Sequence, residues 1–367
     1  MRKTREKLTA ERKAGYDWLL LASVLLLCAF SVVNIYSAAI SSDPNVHLSD
    51  VWVQIAAIGI GLVGAILLCR FDFERINLRA SLALGIFSVI ALLAPLFIGV
   101  GAGNQSWIAV PGTNLYIQTS EYIKIAYIIT LAYHIKTFSD EINRPKRLLF
   151  LLVHGLFGVF LVLLQGDVGS ATVYLVIFVA MLYGAGVKLR YFAVCLGAIA
   201  VLSPIAWHFL GPLRQSRIIA GFDPASDPLG YGWQALQSMN AISEGSLFGV
   251  GFKNAKIAPT IPACCTDLMV ARICEEFGAV GGVLTVLLLT LVIVRVMLSR
   301  AEGKGGLICI GVGAWMLVQT LEGAAMTLGV LPIVGVTLPF LSYGGSSNIA
   351  LLWAIGIVLS AKRRELS

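Results

Sequence analysis

Eight ionisable side chains stand where an apolar chain should not have them. Glu121, Lys124, Asp167, Asp267, Arg272, Glu275, Glu276 and Glu322 fall within or at the edge of long apolar runs. A charge in hydrocarbon costs several kcal/mol unless it is paired or faces water, so each marks either a compensated structural site or a functional one. Glu121 and Lys124, spaced i and i+3, can pair on one helix face. Asp167 and Asp267 each precede an apolar run, where a carboxylate caps a helix N-terminus, and on spacing alone the cap is the expected role of both. Charges gathered inside a helical bundle suit two kinds of work: proton transfer on a bound polar substrate, or passage of a polar headgroup across lipid.

The elements that must hold these groups are membrane spans. Of 367 residues 58% are hydrophobic and 13% charged, too apolar for a chain that covers its core with polar side chains in water. A span needs about 20 mostly apolar residues. Ten runs qualify, at 18–40, 51–69, 80–101, 119–135, 148–165, 168–187, 191–210, 270–294, 306–328 and 343–360. The expected fold is an all-α integral membrane protein, a bundle of about 10 transmembrane helices. The first run belongs to the series and is expected to remain as a helix rather than to be cleaved as a signal peptide.

Orientation follows from Lys and Arg, because positive joints stay in the cytoplasm. The segment before the first span and every second joint after it hold 21 of the 27 cationic residues. That places residues 1–17 and 362–367 inside, a single membrane domain over 18–361, and a large outer loop at 211–269 between spans seven and eight. The net charge of +7 is thus a topology signal that suits anionic lipid headgroups, and no nucleic-acid patch is visible. Trp233, Leu236, Met239 and Ile242 recur at helical spacing in the loop and predict a short amphipathic helix lying at the membrane surface. Cys264 and Cys265 are adjacent, which is neither a disulfide framework nor a metal-ligand spacing. Asp167, Asp267 and the Glu121/Lys124 pair all fall at the outer ends of their runs, so several charges converge on one outward-facing cavity.

The segment Leu331-Pro-Ile-Val-Gly-Val-Thr-Leu-Pro-Phe-Leu-Ser-Tyr-Gly-Gly-Ser-Ser347 resembles the C-terminal signature of the shape, elongation, division and sporulation (SEDS) proteins, the polytopic cell-wall polymerases that include RodA and FtsW. Other stretches agree in the same order. They are Ile35-Tyr-Ser-Ala38, Gln118-Thr-Ser-Glu121 with Lys124, Gln165-Gly-Asp167, Arg217, Asp223-Pro224, Asp227-Pro228, Gln237-Ser238, Leu247-Phe-Gly-Val-Gly251, Thr266-Asp267 and Glu275-Glu-Phe-Gly278.

The resemblance implies a peptidoglycan glycosyltransferase that polymerises lipid II into β-1,4-linked glycan, with inversion and with Asp267 essential. An acceptor hydroxyl must lose a proton while undecaprenyl pyrophosphate leaves with its charge, so one base and cationic stabilisation suffice. Asp267 is the candidate base. Arg217, Lys124 and a divalent cation, Mg2+ or Mn2+, are candidates for the leaving group; Glu121, Asp167, Gln237, Ser238, Thr266, Ser346 and Ser347 complete the implied substrate site. The partners implied are lipid II, the nascent glycan strand, a class B penicillin-binding protein that crosslinks, and the membrane proteins of the elongasome or divisome. The absence of long termini leans towards the rod-shape kind over the division and sporulation kinds.

The chain departs from the family pattern in places. No Arg precedes Trp107, where the segment reads Gly103-Asn104-Gln105-Ser106; Tyr116 and Thr119 stand for an Arg and a Pro; and Ala263 and Cys265 stand for a Glu and a His. Arg272 is an additional cation after the Thr266-Asp267 stretch, and Gly323 stands for an Asn next to an additional Glu322; a pair between Arg272 and Glu322 would keep the cavity in balance. Two other classes stay open on the same residues, a flippase or transporter of a lipid-linked precursor and a non-catalytic scaffold.

Overall fold

The computed structural model describes residues 17–41, 43–100, 105–113, 115–209, 211–298 and 303–364. Arg2 to Lys13, Gly103, Asn104, Leu210, Arg300 and the last three residues lie outside the described residues. Each of the ten apolar runs falls on a helix. They are α1 (Trp18–Ile40), α2 (Leu48–Leu68), α3 (Leu78–Ile98), α4 (Thr119–Thr137), α5 (Pro145–Leu164), α6 (Val168–Gly184), α7 (Leu189–Phe209), α10 (Met269–Met297), α11 (Gly303–Thr327) and α12 (Gly345–Arg364). Between them lie α8 (Pro212–Phe222), α9 (Trp233–Gly245) and a hairpin of β1 (Trp107–Ala109) and β2 (Tyr116–Gln118).

Among the described residues eight helices are long and apolar enough to cross a membrane. The two that miss are instructive. α6 has only 17 residues, and α4 carries Glu121, Lys124 and Lys136, yet both are heavily buried. Shielded from lipid by their neighbours, they can afford length or charge that a lipid-facing helix cannot. α11 is the centre of the bundle and packs on α4, α6, α10 and α12, while α2 packs along α12 and α1 against α10. α7 is the opposite case and buries none of its length.

The ends of the bundle differ in kind. At one end Asp17 caps α1 and takes Arg295 from α10 and Lys362 from α12, both at 2.8 Å, while the Glu74 carboxylate accepts the Gly305 N–H at 2.5 Å at the start of α11. The cationic joints gather here. Asp267, Asp167 and Ser346 stand at the opposite end.

The 211–269 loop holds two α-helices where the spacing predicted one. α9 forms as expected, but it buries the small face Ala235, Ser238, Ala241 and Gly245 against α10, leaving Trp233, Leu236 and Ile242 only partly covered and Met239 exposed. It docks on protein through small residues, which permit close backbone approach, and its larger apolar side chains stay half-covered or exposed. α8 was not foreseen. Its signal was Pro212 at the first helical position.

Helix α10 is broken at Gly278, whose φ of 74° lies in the left-handed region. The segment after α9 fills the break. Ala279 and Val280 donate to the carbonyls of Ser246 and Leu247 at 2.9 and 3.2 Å, and Val250 and Gly251 donate to those of Glu275 and Glu276 at 2.9 and 3.1 Å. A Cβ at position 278 would sit 2.3 Å from the Leu247 carbonyl oxygen, so only glycine fits. The two similar motifs at 247–251 and 275–278 are thus two halves of one backbone joint.

Candidate active site

Asp267 sits in a turn wound about one carbonyl. The N–H groups of Thr266 and Asp267 donate to Ala263 O at 3.1 and 2.9 Å, and the Thr266 hydroxyl adds a bond of 2.9 Å. The signature segment clamps this turn from the other side. Tyr343 N–H donates to Cys265 O at 2.8 Å and the Ser342 hydroxyl donates to Thr266 O. Gly335, with φ of 76°, brings its backbone so near that a Cβ there would lie 3.7 Å from Asp267 Oδ2. Asp267 does not cap a helix: α10 starts behind Leu268, which has no side-chain cap. Its carboxylate is therefore left for other work. Burial pushes its pKa up to about 6, the Asp167 charge adds to the rise, and the Thr266 side chain opposes it.

Asp167 is the cap that spacing suggested. Its Oδ1 accepts Ser170 N–H at 2.9 Å, and its Oδ2 accepts Gln118 Nε2 at 2.8 Å. Gln118 N–H in turn donates to Ser346 Oγ at 3.2 Å, and Ser347 Oγ lies 2.8 Å from Thr337 Oγ1. The first turns of α4, α6 and α12 are so tied together beside Asp267.

Deeper in the bundle Lys124 and Glu121 form the expected pair at 2.5 Å, with Lys124 5.1 Å from the Trp315 ring centroid. Glu322 lies within electrostatic reach of Lys124 and Asp167. Glu121 Oε2, Glu322 Oε2, Gln319 Oε1 and Trp315 Nε1 are buried without a protein partner. Four such atoms in one region make a polar interior whose satisfaction requires water or a ligand.

Arg272 does not pair with Glu322. Its guanidinium meets Asp43 at 3.2 Å, Ser41 Oγ at 3.2 Å and Glu276 at 2.8 Å, and Glu276 also accepts the Ser37 hydroxyl at 2.7 Å. The i, i+4 partner on the same helix and the end of α1 reach it first. Glu275 is likewise used by structure, accepting the N–H groups of Lys256, Ile257 and Ala258 at 2.7 to 2.8 Å.

The remaining candidates lie apart. Ser238 is buried and donates to Thr327 O at 2.8 Å, which fastens α9 to α11. Gln237 is only partly buried on the same helix. Arg217 is exposed on α8, stacked 4.8 Å from the Tyr231 ring centroid. Sequence reasoning passed over Asp43, Gln319 and the Gln118 side chain; a polar residue inside an apolar run was the available signal for Gln319.

No three or more His, Cys, Asp and Glu side chains stand together to hold a metal ion among the described residues. Both Asp167 oxygens accept hydrogen bonds, one from Ser170 N–H and one from Gln118 Nε2.

Comparison with known proteins gives a consistent answer. The family model described as "Cell cycle protein", covering FtsW, RodA and SpoVE, matches residues 17–366. Stage V sporulation protein E of Bacillus subtilis is 31% identical over 96% of this chain and 98% of its own length. A probable peptidoglycan glycosyltransferase FtsW of Trichlorobacter lovleyi is 32% identical over 95% and 93%, and the peptidoglycan glycosyltransferase RodA of Treponema pallidum 29% over 96% and 99%. Among solved structures, one described as the structural coordination of polymerization and crosslinking by a peptidoglycan synthase complex aligns with TM-score 0.80 at 29% identity, over 96% of this chain and 98% of that one. The rod shape determining protein RodA of Thermus thermophilus aligns with TM-score 0.70 at 25% identity over 95% and 97%. This multi-pass membrane protein belongs to the FtsW/RodA/SpoVE family.

Proposed function

We propose that the chain is a peptidoglycan glycosyltransferase that polymerises lipid II at the outer face of the cytoplasmic membrane, with Asp267 as general base. The observation that carries the reading is a carboxylate with a pKa near 6, released from any capping duty and clamped by the signature segment beside a polar interior. A base works best with a pKa near the operating pH. Asp267 takes the proton of the acceptor sugar hydroxyl as its oxygen bonds the anomeric carbon of the donor chain, and the bond from that carbon to undecaprenyl pyrophosphate breaks with the electron pair leaving on phosphate. Attack opposite the leaving group inverts the centre and gives a β-1,4 link. Lys124, held among Glu121, Glu322 and Trp315, offsets charge within the site, and Arg217, exposed on α8, is the second candidate cation for the phosphate.

The partner is a transpeptidase of the class B penicillin-binding kind, a reading supported by the likeness to a synthase complex that couples polymerization and crosslinking. We propose wall elongation as its setting, a reading supported by the likeness to RodA structures, and depletion tests it through loss of rod shape, as against filamentation or blocked sporulation. Purified chain with its transpeptidase and labelled lipid II should yield a ladder of glycan strands. No ladder, together with translocation of lipid II in vesicles, would replace the polymerase by a flippase.

A further inference from the structure

Beside the catalytic turn, a groove of about 500 Å³ is walled by Trp107, Tyr116 and Tyr343 and reaches Thr266, the residue next to Asp267. The volume falls within the range of small-ligand sites. Backbone register explains why the rings meet there. In the hairpin Trp107 pairs with Gln118 and Ala109 with Tyr116, so Trp107 and Tyr116 share one face of the ribbon with Gln118. Gln118 binds Asp167, so this face is fixed to the polar site. Tyr343 joins from the signature segment, its N–H on Cys265 O and its hydroxyl 3.0 Å from Asp50. Gly344 and Gly345 present no side chains to the groove.

We propose that this groove binds the sugar rings of the glycan next to the reacting unit. The inference rests on the polymerase reading and adds a substrate subsite to it. A β-linked pyranose with equatorial substituents carries apolar C–H faces, which match the aromatic rings and the aliphatic Val53, Val100 and Leu115, and a polar rim, which matches Thr266 and the Gly344–Gly345 backbone. The groove is continuous with Thr266 and so lies in line with a strand whose reacting end is at Asp267. A processive polymerase needs such a hold, since the product must stay bound while each new acceptor enters.

The test uses the full chain carrying Asp267→Asn, which binds without turnover, and a soluble tetrasaccharide of alternating N-acetylglucosamine and N-acetylmuramic acid. Trp107 fluorescence, isolated by subtracting Trp107→Phe, should change on titration. By titration calorimetry, which needs no Trp107 reporter, Trp107→Ala and Tyr116→Ala should each weaken binding about fivefold, and Tyr116→Phe should keep most of the affinity. Tyr116 is 56% exposed, so its loss should leave the melting temperature unchanged. In the otherwise wild-type chain the two Ala variants should raise KM for lipid II and shorten the strands, with kcat within about twofold. Tetrasaccharide affinity equal in all variants, or no binding, would overturn the subsite. So would quenching of Trp107 by brominated phospholipid tails that the tetrasaccharide does not relieve, which would assign the groove to lipid. Binding of the tetrasaccharide by a chain that makes no polymer would sink the polymerase reading and leave the subsite standing; polymer without binding does the reverse.

Discussion

The two buried ionic clusters invite comparison because each sets one cation among carboxylates. Around Arg272, Asp43 and Glu276 supply two carboxylates and Ser37 and Ser41 two hydroxyls, and the carboxylate oxygens that meet Arg272 and Ser37 are matched within 2.7 to 3.2 Å. Around Lys124, one oxygen of Glu121 is matched at 2.5 Å, while Glu121 Oε2, Glu322 Oε2 and Gln319 Oε1 are not. A buried ion pair with satisfied partners fastens elements together, here the end of α1 to α10. One with spare acceptors is costly in the resting protein and becomes favourable when a polar substrate enters. Arg272 Nε is also unmatched, so the contrast lies in the acceptors: the carboxylate oxygens around Arg272 are taken up, while those around Lys124 include unmatched ones.

Four substitutions sharpen or break that contrast. Asp267→Asn should lower polymerisation by on the order of 10²- to 10⁴-fold while the chain stays folded and partner-bound, since Asn cannot take a proton. Polymerisation at the wild-type rate would remove Asp267 as base. The same variant tests the pKa. The folded carboxyl holds its proton to about pH 6 against 3.8 in the reference state, so the stability it contributes is full below 3.8 and is lost as pH rises through about 6. In thermal melts Asp267→Asn should match the wild type at low pH and exceed it at pH 8 by up to about 3 kcal/mol. The wild-type rate should fall about tenfold per unit below pH 6, because the base is then protonated.

Arg272→Met should cost about 3–5 kcal/mol by leaving two buried carboxylates unpaired, and adding Asp43→Asn with Glu276→Gln should restore most of it. Detergent melts decide, and a single variant as stable as wild type would contradict a fastening role. Lys124→Met should act in the opposite sense, abolishing polymerisation at a smaller cost in melting temperature. On α8, Arg217→Ala should lower polymerisation more than Arg217→Lys, because Lys keeps the charge and loses the bidentate grip on phosphate. Full activity in Arg217→Ala would take that residue out of the reaction.

Much of the bundle was legible in the sequence because a membrane imposes strong local rules. Helix positions followed from apolar length, with α1 matching its run at both ends and the others shifted by up to three residues at most ends. Glu121/Lys124 and the Asp167 cap were legible too, being contacts across three residues of one helix. The misreadings are all of longer range. Arg272 had several possible partners by charge: Glu276 was in reach on its own helix, and the approach of α1 to α10 added Asp43, so that Glu322 was left out. α9 was recognised as a helix, but which face it buries depended on the surface of α10 offered to it.

By itself the sequence determined which segments become helices, where charge must be compensated, and that the segment 331–347 marks the family, for these rest on local composition, spacing and motif. Tertiary structure alone decided that Asp267 is free and Glu275 is spent. It inserted the 246–251 segment into the break of α10, brought Tyr343 and Ser342 onto the carbonyls of Cys265 and Thr266, and set Asp167 near enough to raise the Asp267 pKa. Each of these joins residues far apart in the chain through single hydrogen bonds or a shared low-dielectric environment. Neither leaves a periodic trace in the order of amino acids.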